Sequence, residues 1–303
     1  MRKIFYFFFL VAFFSPQWAE NRVPDFSKPQ THLYYADKLS DEGDYYRAIT
    51  EYKRVMYLFP DYEKLDHVKF QIGQMYYLGE RYEQAKEYLV PRTASNDKPL
   101  QWNTNMFLGL TYFENREFIN SVRLFGALAE SGEARVSRSD LKIYEGLSYA
   151  YMKKFKEAGD TFRRAGTMVQ PAQVKEYEKF FARAEKITSE GAALEKKSPG
   201  WAIFWGTVFP GGGHIYLRQY DNALVSFLLV GAATILAVDG FINASAVQSA
   251  VFLTLGTGFY VGSVYSAYRQ TRKYNHTMGD SQVAALRKEM KLLNLRLSKK
   301  ITF

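Results

Sequence analysis

The chain has no cysteine. Disulfides, thiolate metal sites, a cysteine nucleophile and lipid attachment through a processed N-terminal cysteine are therefore excluded. Histidine is scarce: His32, His67, His214 and His276 are the only four, and no two stand at metal-ligand spacing. With neither thiols nor paired imidazoles, the sequence offers no metal site, no cofactor site and no catalytic constellation. Charge is missing from two long runs. Residues 223–242 carry only Asp239, and residues 246–267 carry none. Each is long enough to cross a hydrocarbon core at about 1.5 Å rise per residue.

What is abundant is aromatic: 23 Tyr and 24 Phe spread along 303 residues. They fall into an internal repeat. A small residue recurs at Ala36, Gly73, Gly109 and Gly146, followed three places on by Leu39, Tyr76, Tyr112 and Tyr149. An aromatic opens a second segment at Tyr45, Tyr82, Phe118 and Phe155, with Ala48, Ala85, Ser121 and Ala158 three beyond. A large residue closes each copy at Tyr52, Leu89, Phe125 and Phe162. Every column steps by 37, 36 and 37 residues. Small residues allow two antiparallel helices to approach, and the large ones fill the groove between them. "DEGD" and "LGER" supply turns inside the pairs, and Pro60, Pro99 and Pro171 are read as ending copies. At core spacing, the aromatics are not a stacking surface, so no nucleic acid is expected.

These columns resemble the tetratricopeptide repeat over residues 31–171. The period is longer than that family's 34, Ser121 replaces an alanine, and Glu145 occupies a usually apolar slot. The resemblance implies an all-α solenoid of four helical pairs with a groove for protein or peptide partners, and no enzymatic activity. Non-column polar residues of the first helices, Lys38, Gln74, Asn105 and Lys142, are the candidate groove residues. Residues 172–197 continue with helical spacing at Val174, Tyr177, Phe181 and Ala184 and charged outer faces, as a capping helix would.

Residues 1–19 read as a signal peptide: "MRK", an eleven-residue apolar run, then "SPQWA". The alternative is an uncleaved anchor. A membrane region is expected over 198–275, with helices at 223–242 and 246–267 joined by "NAS" as a hairpin. Gly258, Gly262 and Ser266, four residues apart, are expected to pack the two helices. Pro210, Gly211, Gly212 and Gly213 raise the question of a phosphate loop. His214, Ile215 and Tyr216 follow where a Lys and a Ser or Thr would be needed, so the stretch is read as a bend. That makes 200–217 an interfacial or re-entrant segment. The pattern "FPGGGHIYLRQYDNALVSF…GFYVGSVYSAYRQTRKYN" is similar to the small C-terminal membrane region of some exported bacterial repeat proteins.

Net charge is +9, concentrated at the end: residues 269–303 hold nine Lys or Arg against Asp280 and Glu289. Val283, Leu286, Met290, Leu293 and Leu297 form one stripe of a basic amphipathic helix over 280–298, expected to lie on anionic lipid headgroups. A hairpin leaves this tail on the same side as the repeats. Counting 200–217 as a third crossing would instead return it to the cytoplasm, as the distribution of Lys and Arg prefers. The expected function is an exported, membrane-anchored scaffold for protein or peptide partners in the cell envelope. The alternative is a structural subunit of a transport or envelope-assembly complex, docking through its hairpin.

Overall fold

The computed structural model describes residues 25–131, 136–169 and 174–293. The signal-peptide reading, Pro171, Leu297 and the end of the expected tail helix lie outside those residues. Among the described residues the secondary structure is entirely helical, with no strand. The chain divides into two compact units, the first running to Gln101 and the second from Trp102.

The first unit contains α1 (Pro29–Asp41), α2 (Tyr45–Leu58), α3 (Leu65–Leu78), α4 (Tyr82–Leu89), a 3-10 turn at Val90–Arg92 and the start of α5 (Lys98–Glu114). Consecutive helices pack on one another, α1 on α2, α2 on α3 and α3 on α4. The core joins Ala36, Ala48, Tyr52, Val55, Ile72 and Met75. Pro99 does not end a helix. It lies in the first turn of α5, where its missing N–H leaves no hydrogen bond unmade.

The second unit continues with the rest of α5, α6 (Phe118–Glu130), α7 (Arg138–Tyr151), α8 (Phe155–Thr167) and α9 (Val174–Ala192). Here α6 packs on α7, α7 on α8, and α8 on α9. Five helices follow: α10 (Pro199–Val208), α11 (Gly212–Tyr216), α12 (Tyr220–Ile242), α13 (Ala246–Thr277) and α14 (Asp280–Leu292).

The sequence columns have direct physical counterparts. The large residue closing a copy sits on the small residue opening it. A Cβ on Gly73 would come within 2.8 Å of Leu89, one on Gly109 within 3.1 Å of Phe125, and one on Gly146 within 2.6 Å of Phe162. Tyr52, Leu89, Phe125 and Phe162 are all fully buried, as are Ala48, Ala85, Ser121 and Ala158. Gly146→Ala is therefore expected to destabilise the protein by about 1–3 kcal/mol through overpacking. The exposed Lys156→Ala change should stay within about 0.5 kcal/mol. Equal shifts of the two variants in thermal melts would show that the column has been misread.

The turns inside the pairs repeat with the same period. The N–H of Asp44 donates to the carbonyl of Leu39, Arg81 to Tyr76, Glu117 to Tyr112 and Lys154 to Tyr149, at 2.8, 2.8, 2.8 and 3.0 Å. The residue before each donor is left-handed: Gly43 (φ 81°), Glu80 (58°), Arg116 (62°) and Lys153 (61°). This is Schellman closure. The same device ends α11 and α12, with Arg218 (φ 59°) and Ala244 (φ 55°) left-handed, and Gln219 bonded to His214 and Ser245 to Gly240. One local rule thus joins helices in both parts of the chain.

Candidate functional site

The four expected groove residues do not share one environment. Lys38 is exposed on α1, 5.7 Å from the ring of Tyr34. Gln74 is fully buried inside the first unit, and Asn105 is half-buried on α5. Lys142 is buried on α7, 2.9 Å from Glu145 and 3.0 Å from Glu130. Glu145, the polar residue in an apolar slot, is thereby explained: it balances a buried lysine three residues earlier. Only Lys38 and Asn105 of the four have side chains even partly open.

The first unit has a small pocket of about 80 Å³ lined by Leu33, Asp37, Tyr52, Tyr62, His67 and Gln71, among others. At its wall the Tyr52 hydroxyl donates to Asp37 at 2.6 Å. Sequence columns placed Tyr52 correctly in the core but gave no sign that its hydroxyl meets a carboxylate from α1.

In the second unit α14 lies against α7 and α9. Val283, Leu286 and Leu293 are buried, so much of the stripe expected to meet lipid is covered by the chain's own helices. Polar contacts ring the contact. Arg183 Nη1 is 2.8 and 2.9 Å from the Glu289 oxygens. Arg287 bonds the Tyr151 hydroxyl at 3.1 Å and Glu114 at 3.3 Å, and Lys153 pairs with Asp280. Gly279, left-handed at φ 82°, fits against Phe155 at the start of α14.

The helices α10, α12 and α13 are packed inside out. Buried positions are mostly small: Ala223, Val230, Ala233, Ala237 and Gly240 on α12, with Ser249, Gly256, Ser263, Ala267 and Thr271 on α13. Large side chains such as Phe227, Leu228, Ile235, Phe241, Val251 and Leu253 point outward. Both α12 and α13 contain stretches long and apolar enough to cross a membrane, and only 22% and 11% of those stretches are buried.

Gly258 and Gly262 are not in this seam. A Cβ on either would meet nothing within 4 Å, whereas one on Gly256 would come 3.3 Å from Ala233 and one on Gly240 2.7 Å from Ser249. The seam follows a seven-residue step, Ser249–Gly256–Ser263, matching Ala223–Val230–Ala237 on α12. With Gly258 and Gly262, Ser266 lines an open groove of about 290 Å³.

The bend is a crossing point of backbones. Gly211 is left-handed at φ 85°, and a Cβ there would lie 2.5 Å from the Ala223 carbonyl oxygen. A Cβ on Gly213 would lie 2.5 Å from the Ala202 carbonyl oxygen, and one on Gly212 would collide with that of Trp205. The turn brings the end of α11 back to the start of α10, since the N–H of Ser198 donates to the Tyr216 hydroxyl at 2.9 Å. The far end of α13 returns to the same place. The N–H of Lys197 donates to Asn275 Oδ1 at 2.8 Å, and Asn275 Nδ2 donates to the Lys197 carbonyl at 2.7 Å. Both ends of the apolar helices therefore meet.

His214, on α11, and Asp239, near the end of α12, have separate partners. His214 Nδ1 is 3.3 Å from Gln219, and Asp239 accepts from Asn243 and Gln248 at 3.0 and 2.9 Å. Among the described residues no three His, Asp or Glu side chains converge as metal ligands would. No family model matches the chain, and no curated protein or solved structure matches it.

Proposed function

We propose that the protein is a membrane-anchored scaffold whose tetratricopeptide-like helical pairs hold protein or peptide partners in the cell envelope. The observation that carries the anchoring is the inside-out packing of α10, α12 and α13. A soluble helix pair buries its large apolar side chains, but here they face outward and alanine, glycine and serine face in. So large an apolar exterior is stable only against lipid or another apolar surface.

The bonds between Lys197 and Asn275 support an even number of crossings, because the chain enters and leaves the apolar helices at one point. In this reading α12 and α13 cross, and α10 and α11 dip in and return. The docking of α14 on α7 and α9 supports the same topology, with the basic tail on the side of the repeats. Partner binding is assigned to the first-helix face of the first unit, where Lys38 and Tyr34 are exposed, since α14 covers part of α7 and α9 in the second.

The absence of cysteine makes the topology simple to test. Single cysteines at Lys156, Lys288 and Asn243, all exposed positions, are treated with an impermeant maleimide on intact cells and on inverted vesicles. Lys156→Cys and Lys288→Cys should label from one side and Asn243→Cys from the other. Labelling of Lys156→Cys and Lys288→Cys from opposite sides would defeat the hairpin. For the scaffold role, crosslinked partners from intact membranes should be lost when Tyr34→Ala and Lys38→Glu are combined. Unchanged capture would rule out this face.

A further inference from the structure

The groove that the hairpin leaves open runs into a second, basic cleft. Its floor is Gly258 and Gly262 on α13, and its walls combine apolar Val225, Leu229 and Phe259 with the small polar Asn222, Ser226 and Ser263. Ser266 lines this groove and also a cleft of about 470 Å³ made by Tyr265, Arg269, Gln270 and Lys273. Positions 258, 262, 266, 269 and 273 follow one face of α13, so the two spaces are continuous along the helix.

Their chemistries differ end to end. The groove has no side chain at Gly258 or Gly262 and carries no charged residue, with Gly258 about 12 Å below Ser266 at 1.5 Å per residue. The cleft above it presents two cations. Arg269 stacks 5.9 Å from the Tyr265 ring, and neither it nor Lys273 has a carboxylate partner among the described residues. At the junction His214 is only 2% exposed. Its Nδ1 lies 3.3 Å from Gln219 Oε1, and the ring forms part of the groove wall.

We infer that this face is a binding site for one anionic phospholipid molecule. Its phosphate lies between Arg269 and Lys273, its glycerol region lies beside Ser266 and His214, and one acyl chain lies over Gly262 and Gly258. Charge complementarity selects the head, and the missing side chains at two glycines make room for the tail. The site also explains why Gly258 and Gly262 stay out of the helix seam. The inference rests on the membrane reading above.

The test uses the full chain, extracted in mild detergent, delipidated, and examined by native mass spectrometry with phosphatidylglycerol or phosphatidylcholine added. One phosphatidylglycerol per chain should be retained, at least tenfold more than phosphatidylcholine. Arg269→Gln with Lys273→Gln should cut retention at least tenfold, and so should Gly262→Leu, whose side chain enters open space and leaves the melting temperature unchanged. Arg272→Gln, altering a cation bonded to Tyr268 at 3.3 Å, should retain the lipid as the wild type does. Equal retention of the two lipids overturns the site, as does retention that survives either the double charge removal or Gly262→Leu. Displacement by equimolar glycerol 3-phosphate would mean a phosphate site instead. Recovery of the chain in aqueous buffer without detergent would defeat the membrane reading itself, separately from these outcomes.

Discussion

Lys142→Met is expected to destabilise the repeat region by about 3–5 kcal/mol, the usual cost of breaking a buried ion pair from one side. The methionine fills the space of the lysine stem but leaves the Glu145 carboxylate buried without its counter-charge, formerly 2.9 Å away. Removing both charges, as Lys142→Met with Glu145→Leu, should return stability to within about 1 kcal/mol of wild type, because two apolar side chains need no partner. The pH dependence follows from two opposed shifts. Burial works against the charge on Lys142, but hydrogen bonds and attraction from Glu145 and Glu130 outweigh it and hold its pKa above the ordinary lysine range. The hydrogen bond from Lys142 holds Glu130 below the ordinary carboxylate range. A raised lysine pKa gives stability that is complete below about 10.4 and is lost as pH rises through the folded value. A lowered glutamate pKa gives stability present above about 4.3 and lost as pH falls through the folded value. The gap between wild type and variant should therefore be flat from about pH 6 to 9 and narrow outside that range. Thermal melts of the full chain in detergent measure it, with a shift of roughly 10 °C expected at neutral pH. A Lys142→Met protein as stable as wild type would mean the pair is not buried as described.

This ion pair marks the limit of what the sequence makes legible. The columns place small and large residues correctly because each column is a local rule repeated four times. Glu145 stands out as polar in an apolar column, and Lys142 is only three residues away. Yet their burial depends on Glu130 from α6 and on the helices packed around α7, which no spacing encodes. The turns of the first two pairs are legible as "DEGD" and "LGER", but beyond Gly43 no residue type marks the left-handed position. Three of the four inside the pairs hold Glu80, Arg116 and Lys153, residues with no preference for that conformation, imposed by the helices on either side.

The helix seam is not legible in α13 alone for a related reason. α13 carries two small-residue stripes, and periodicity alone cannot choose between them. The choice is made by α12, whose Ala223, Val230 and Ala237 share the seven-residue step of Ser249, Gly256 and Ser263. The tail helix has the same ambiguity. Its stripe is equally suited to lipid or protein, and the partners that cover it, Arg183 among them, lie more than 100 positions earlier.

The largest loss in the apolar unit is expected at the glycine bend. Gly212→Val and Gly213→Val each put a branched side chain where helix backbones cross. A Cβ at Gly213 alone would be 2.5 Å from the Ala202 carbonyl oxygen and 2.6 Å from the Ala267 Cβ. Side-chain overpacking costs about 1–3 kcal/mol when neighbours can rotate away. Carbonyl oxygens of α10 cannot rotate away without breaking their own helix, so the cost should exceed about 3 kcal/mol. Opening the bend would also part Ser198 from Tyr216 and loosen the meeting of Lys197 with Asn275. The topology itself is then at risk, not only the packing. Gly258→Leu and Gly262→Leu on α13 are the matched controls, adding a larger side chain to open space among the same packed helices. Both should insert, resist protease in membranes and melt within about 2 °C of wild type. The bend variants should be degraded or melt at least about 6 °C lower. If all four behaved alike in detergent melts and membrane proteolysis, the crossing at the three glycines would not be what holds these helices together.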